Sequence, residues 1–225
     1  MQKIPACVGI ILDGNRRWAV EHNLPKMEGH RRGLNTLVDC TKWARDLGVQ
    51  HLAVFAFSTE NWQREAAEVS YLMGLFREMA QKRMEELKKE RVRVRVAGQI
   101  ERFSPDLQES MRTLERETAG NSGITLWLCM SYGGRAEIAA AAAAAVNAGE
   151  AITEGAIEKH LWTADMPDPD IIIRTSGEQR LSGFLTWKSV YSELFFIDTK
   201  WPDFTGETLK KVLDEYATRD RRKGR

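Results

Sequence analysis

Six short apolar runs are spaced along the chain, and most are separated by segments whose apolar residues recur at three and four. The runs are Cys7 to Leu12, His51 to Phe57, Val92 to Ala97, Ile124 to Met130, Asp170 to Arg174 and Leu194 to Ile197. They are short and rich in β-branched residues, so they read as buried strands. Between them, Leu34, Leu37, Val38, Thr41, Ala44 and Leu47 trace one helical face, with Gly48 as a C-cap candidate. Val69, Leu72, Met73, Phe76, Met79, Met84 and Leu87 trace a longer one. Ser104-Pro105 marks a helix start, with an N-cap hydroxyl before a proline. Arg135 to Ala148, with its alanine run from Ala139 to Ala145, predicts a helix lying close against a sheet or a partner. Thr205 to Arg219 closes the pattern. Strands alternating with helices predict an α/β fold, a central and mainly parallel sheet of about six strands flanked by helices. No linker or fixed-period repeat interrupts it, so a single domain spans residues 1–225.

Composition narrows the function classes. Hydrophobic residues make up 43% and charged residues 29%, and no run approaches the roughly 18 apolar residues of a membrane span. Met1 to Ala6 is too brief for a signal peptide, so a cytoplasmic location is expected. Cys7, Cys40 and Cys129 have no Cys-x-x-Cys spacing and read as core residues. A net charge of +1 offers no global attraction to nucleic acid, and no nucleic-acid partner is expected. The alternation Val92-Arg93-Val94-Arg95-Val96 reads as an edge strand with one wet face. Anion binding must come from local clusters.

Three such clusters follow strands. Asp13-Gly14-Asn15-Arg16-Arg17-Trp18 places a carboxylate at a strand end, where open α/β sheets bind ligands, and sets two arginines beside it. Asp13 is a hard oxygen ligand of the kind Mg²⁺ prefers, and the arginines are charges that cannot be titrated away. Read alone, the hexapeptide fits a capped turn with solvated arginines equally well. A second strand delivers Arg174, and Arg180 and Ser182 follow in the same loop; two guanidinium groups and a hydroxyl can grip a diphosphate, with Glu178 orienting an arginine. The third cluster, Ser58-Thr59-Glu60-Asn61-Trp62-Gln63-Arg64, reads as a polar lid, although Trp62 reads equally as an anchor that packs the loop down.

Together these segments resemble the cis-prenyltransferases of the undecaprenyl diphosphate synthase type. The resemblance covers nearly the whole chain and extends to Gly29-His30, Tyr132-Gly133-Gly134-Arg135, Tyr191-Ser192-Glu193-Leu194 and Trp201-Pro202-Asp203-Phe204. It implies a Mg²⁺-dependent enzyme that adds isopentenyl diphosphate to an allylic diphosphate such as farnesyl diphosphate, making cis double bonds and an undecaprenyl-type carrier lipid precursor. It implies Asp13 as metal ligand, with Glu193 as a second ligand donated across a homodimer. Gly14, Asn15, Arg16, Arg17, Trp18, Lys26 and His30 match the allylic diphosphate site. Arg174, Arg180, Leu181 and Ser182 match the isopentenyl diphosphate site. Asn61, flanked by Ser58, Thr59, Glu60, Trp62 and Arg64, matches a position assigned to proton removal; an amide is a poor base, so positioning or relay is expected. An apolar tunnel should hold the growing chain. At about 0.8 kcal/mol per CH₂, each five-carbon unit adds up to roughly 4 kcal/mol of retention, so peripheral membrane contact at the inner face is expected for release.

Some positions depart from the commoner pattern: Lys26 for arginine, Glu65 for proline after Arg64, Ser131 before Tyr132 and Gly183 after Ser182 for asparagine, and a bulky Trp127, which is read as shortening the tunnel. The tail Arg221-Arg222-Lys223-Gly224 reads either as an Arg-x-Gly ending that reaches a partner's site or as a flexible basic segment over 219–225. Other chemistries fit less well. A haloacid-dehalogenase-type phosphatase needs a second Asp where Asn15 stands, a trans-type prenyl synthase needs Asp-Asp-x-x-Asp, and no phosphate-binding glycine loop occurs. A short- or medium-chain synthase is the alternative in product length, and a non-catalytic partner subunit the alternative in role.

Overall fold

A computed structural model describes residues 3–82 and 84–220. Residues 221–224 of the tail lie outside the described residues. The strands are β1 (Cys7–Ile11), β2 (His51–Ser58), β3 (Val92–Ala97), β4 (Ile124–Tyr132), β5 (Ile171–Arg174) and β6 (Glu193–Phe196), each within a few residues of its expected range. The helices are α1 (Asn15–Glu21), α2 (Lys26–Asp46), α3 (Ala66–Lys82), α4 (Met84–Lys89), α5 (Pro105–Thr118), α6 (Gly134–Asn147), α7 (Glu154–His160) and α8 (Gly206–Thr218). All five strand pairings are parallel, in the order β3-β4-β2-β1-β5-β6. The chain leaves β1 toward β2 on one side and returns to pair β5 on the other. The crevice at the C-terminal ends of β1 and β5 is therefore the point where strand order reverses, where open α/β sheets hold ligands.

Each sheet face carries its own apolar cluster, as a sheet buried on both sides requires. Ile10, Val54, Leu128 and Ile173 share one face with residues of α2, α3, α5 and α8. Ile11, Ala53, Trp127, Cys129 and Ile172 share the other with Phe184 and Leu185. Trp127 thus packs away from the α3 side, under Arg95, whose guanidinium lies 5.4 Å from the ring centroid. β3 is an edge strand, and Arg95 ends in an ion pair with Asp165 at 2.7 Å.

Several local devices differ from expectation. Ser104 caps no backbone amide; its hydroxyl bonds the Asp106 carboxylate instead. The alanine-rich α6 buries Glu137, Ala141 and Ala145 and packs on α7. The buried Glu137 carboxylate accepts from Tyr132 and from Thr163 Oγ1 (2.7 Å) and N–H (3.0 Å), fixing the start of α6 near the strand ends. α1, unrecognised in the sequence, docks on α2 at two glycines one turn apart. A Cβ at Gly29 would stand 1.9 Å from the Asn15 carbonyl oxygen, and one at Gly33 would stand 2.2 Å from Asn15 Oδ1. No helix among the described residues is long and apolar enough to cross a membrane.

Two glycines give opposite expectations. Gly29→Ala should destabilise by about 1–3 kcal/mol through overpacking against α1. Gly74→Ala, at an exposed α3 position with nothing within 4 Å of the new carbon, should stabilise by about 1 kcal/mol. Urea unfolding midpoints of the two variants check both signs.

Candidate active site

Asp13 leaves the end of β1 and turns at once, because Gly14 adopts φ 102, a conformation open to glycine. The Gly14 N–H donates to Asp13 Oδ1 at 2.7 Å, Arg17 stands 3.4 Å from the same oxygen, and Arg174 Nη2 donates to Oδ2 at 2.8 Å. The Thr175 hydroxyl accepts from the Asp13 N–H at 2.9 Å and donates to its carbonyl at 2.7 Å. Burial raises the Asp13 pKa, but the hydrogen bond and charge of Arg174, with Gly14 and Arg17, outweigh it and hold the carboxyl below its ordinary 3.8. The group is an anion at neutral pH.

Arg174 is buried, with a side chain only 6% exposed. Its Nη1 donates to the Arg180 carbonyl at 2.5 Å and to Ser182 Oγ at 2.9 Å, while Nε has no partner. Arg180 turns to the surface and pairs with Glu178 at 2.5 Å, and Glu178 also takes Arg17 at 3.1 Å. One carboxylate therefore bridges the first and second clusters. Ser182 and Gly183 both have positive φ, 51 and 80. Glycine is at ease there, which accounts for Gly183 in place of asparagine. Leu181 packs on the second apolar cluster.

The third cluster is a short 3-10 turn, Thr59–Gln63, closed by a capping box: Ser58 N–H donates to Asn61 Oδ1 at 3.0 Å, and the Ser58 side chain accepts from the Asn61 amide. Asn61 keeps its NH₂ donors and one lone pair of Oδ1 for another group. Trp62 is the anchor. Its Nε1 donates to Ser131 Oγ at 2.9 Å, and its ring meets Phe57 edge-on at 4.9 Å. Ser131 has φ 48, a left-handed conformation that suits asparagine better than serine. Arg64 is extended at ψ 166, as a following proline would also require, so Glu65 leaves the turn intact.

These segments meet at one cavity of about 680 Å³. Its polar mouth includes Asp13, Asn15, His30, Ser58 to Asn61, Arg64, Arg174 and Ser182, and its apolar body runs between the sheet and α2, α3 and α5 past Leu72, Phe76, Val96, Met111 and Leu128. Trp127 does not line it, and the expectation that this ring shortens the tunnel is corrected: the alternation of a strand puts residue 127 on the face opposite Leu128. Trp18 is also an anchor, donating to Asp203 Oδ1 at 2.7 Å and stacking on His22 at 4.3 Å. Lys26 is exposed at the start of α2 and does not line the cavity. Glu193 pairs at the level of Ile171, roughly 10 Å of strand below Arg174. There Arg219 holds it at 2.8 Å, so one chain does not bring the two carboxylates together.

The sequence reading gave no site role to three contributors, although it quoted the segments that hold Trp201 and Arg135. Trp201 lines the cavity, its N–H donates to the Asp13 carbonyl at 3.0 Å and its indole to the Gly33 carbonyl at 2.8 Å. Arg135 lines the cavity at the start of α6. Glu68, buried on α3, pairs with Arg64 at 2.9 Å, His30 at 3.2 Å and Arg16 at 3.7 Å. Its spacing of four from Arg64 was the available signal. Among the described residues no group of three His, Cys, Asp or Glu side chains could hold a metal alone. Asp13 fits Mg²⁺ in the manner of phosphate-bound magnesium, where one carboxylate suffices and phosphate oxygens and water complete the shell.

The chain matches the family model described as "Putative undecaprenyl diphosphate synthase" over residues 11–224. An isoprenyl transferase of Neisseria meningitidis serogroup B is 45% identical over 223 residues, 99% of this chain and 90% of that protein. A protein of Thermobifida fusca named trans,polycis-polyprenyl diphosphate synthase ((2Z,6E)-farnesyl diphosphate specific) is 46% identical over 228 residues, 98% of this chain and 81% of that protein. The crystal structure of lavandulyl diphosphate synthase from Lavandula x intermedia in complex with dimethylallyl diphosphate superposes with a TM-score of 0.92 at 32% identity, covering 99% of each chain. The strand order, the charged mouth over an apolar cavity and these likenesses converge: the chain belongs to the undecaprenyl diphosphate synthase family and is an isoprenyl transferase of the cis-prenyltransferase type.

Proposed function

We propose that the enzyme condenses isopentenyl diphosphate units with an allylic diphosphate, farnesyl diphosphate in the first place, in a Mg²⁺-dependent reaction that forms cis double bonds. The observation that carries this reading is Asp13 held by Arg174 beside Ser182, with Ser58, Thr59 and Arg64 lining the same mouth of an apolar cavity. An amphiphile with a diphosphate head and a hydrocarbon tail matches both halves. Metal bound at Asp13 would supply a Lewis acid for the departing diphosphate. The chain's own residues do the rest. Arg17 and the cations beside Glu68 meet the allylic head, Arg174, Arg180 and Ser182 meet the isopentenyl head, and fixed guanidinium charge favours the growing charge of the leaving group. Asn61, an amide and so a poor base, orients the isopentenyl group or a water. Homodimer formation supplies Glu193 from a second copy, and peripheral contact with a membrane assists release of a long product.

The product proposed is an undecaprenyl-type lipid carrier precursor. A short- or medium-chain product is the second reading, favoured by one observation. The cavity is lined by Val96 and Leu128 but by neither Val94 nor Leu126, the next residues down the same strand faces.

Incubation of the protein with labelled isopentenyl and farnesyl diphosphates, with and without chelator, followed by product sizing, tests both readings; absence of metal-dependent elongation would sink the first. Asp13→Ala should lower kcat by at least about 100-fold with the fold retained. Leu128→Ala should shift products to longer chains, and Trp127→Leu should leave their length unchanged, because only residue 128 faces the cavity. The Asp13 pKa is lower folded than unfolded. Its contribution to stability is thus fully present above the unfolded value and lost as pH falls below 3.8 toward the folded value. Acid unfolding of Asp13→Asn should lack that component.

A further inference from the structure

Glu68 is a buried carboxylate beside this mouth that the reaction as proposed does not use. It is 7% exposed, on the first turn of α3. Its Oε1 takes Arg64 and His30, its Oε2 faces Arg16, and these partners come from the end of the 3-10 turn, from α2 and from α1. His30 and Arg64 line the cavity while Glu68 does not. The carboxylate therefore stands behind Arg64 and His30 as seen from the cavity, and half-exposed Arg16 reaches its other oxygen from outside the lining. Burial lowers the His30 pKa, and the positive charges of Arg64 and Arg16 lower it further against the pull of Glu68. His30 is then neutral at pH 7 and gives a hydrogen bond without charge. Two guanidinium groups share one resident negative charge.

We propose that Glu68 is a resident anion that competes with a diphosphate group for Arg64 and Arg16, holding the affinity of the site down so that pyrophosphate released in each turnover leaves readily. The inference rests on the diphosphate reading of the site. An incoming phosphate must share cations already partly neutralised, and like charges held close disfavour one another. A simple brace makes the opposite prediction. If Glu68 only held Arg64 and His30 in place, its loss would misplace them and weaken anion binding.

The test titrates inorganic pyrophosphate, with magnesium ion and no isoprenoid, into the full-length protein in a calorimeter. Glu68→Gln, which keeps the shape and removes the charge, should bind about tenfold more tightly than the unaltered protein. Glu68→Ala should change in the same direction, and Glu68→Asp, which keeps the charge, should stay within about twofold of the unaltered protein. Circular dichroism confirms folding of each. Equal or weaker binding by the neutral variants, a gain in Glu68→Asp as large as in Glu68→Gln, or failure of both neutral variants to fold overturns the proposal and leaves Glu68 a brace. If the unaltered protein binds no pyrophosphate, the diphosphate reading itself fails and the proposal falls with it, an outcome distinct from the others.

Discussion

A buried guanidinium cannot stand without partners, and the site grows out of that constraint. Burying an ion costs several kcal/mol unless charge and hydrogen bonds are returned to it. Arg174 is nearly sealed from solvent, and its two Nη groups are satisfied from three directions: the Asp13 carboxylate, the Arg180 carbonyl and the Ser182 hydroxyl. Meeting those demands fixes the end of β5 against the end of β1 and folds the following loop back over both. The reversal of strand order opens the crevice, and the paired charges give it an electrostatic character.

From there, positive charge is distributed by the geometry of a very short helix. Arg16 and Arg17 are consecutive on α1, and a helix turns about 100° per residue, so they diverge. Arg16 faces Glu68 on α3, whereas Arg17 faces Asp13 and Glu178. The two glycines of α2 let α1 lie close enough for this division to be exact in position. Three carboxylates each serve at least two basic groups, so the arginines they hold are fixed in place around the mouth.

Much of this was legible in the sequence. Apolar runs ending in polar residues located all six strands, and the residues after three of them located the mouth. Spacing cannot say which side chain is a contact and which a support. Trp18 and Trp62 have the chemistry of ligand contacts but donate their indole hydrogens to Asp203 and Ser131. The face of Trp127 depends on the parity of a strand whose register comes from β2 and β3, and no local pattern carries it. α1 escaped notice because its seven residues are dominated by charged and polar types with too few turns to show a period. Glu68 looked like one of many acidic residues on a helix, and only the approach of α1 and α2 makes it central.

Trp201 carries a consequence for how the molecule comes into being. Its backbone supports Asp13 and its indole supports α2, so residues near both termini of the described chain define one pocket wall. A chain emerging from the ribosome has the first cluster long before it has Arg174 or Trp201. Early in synthesis the nascent N-terminal half has cationic and apolar segments but no wall to order them. Contacts of such sequence separation form slowly, which lengthens the interval in which those segments are exposed to chaperones or to one another.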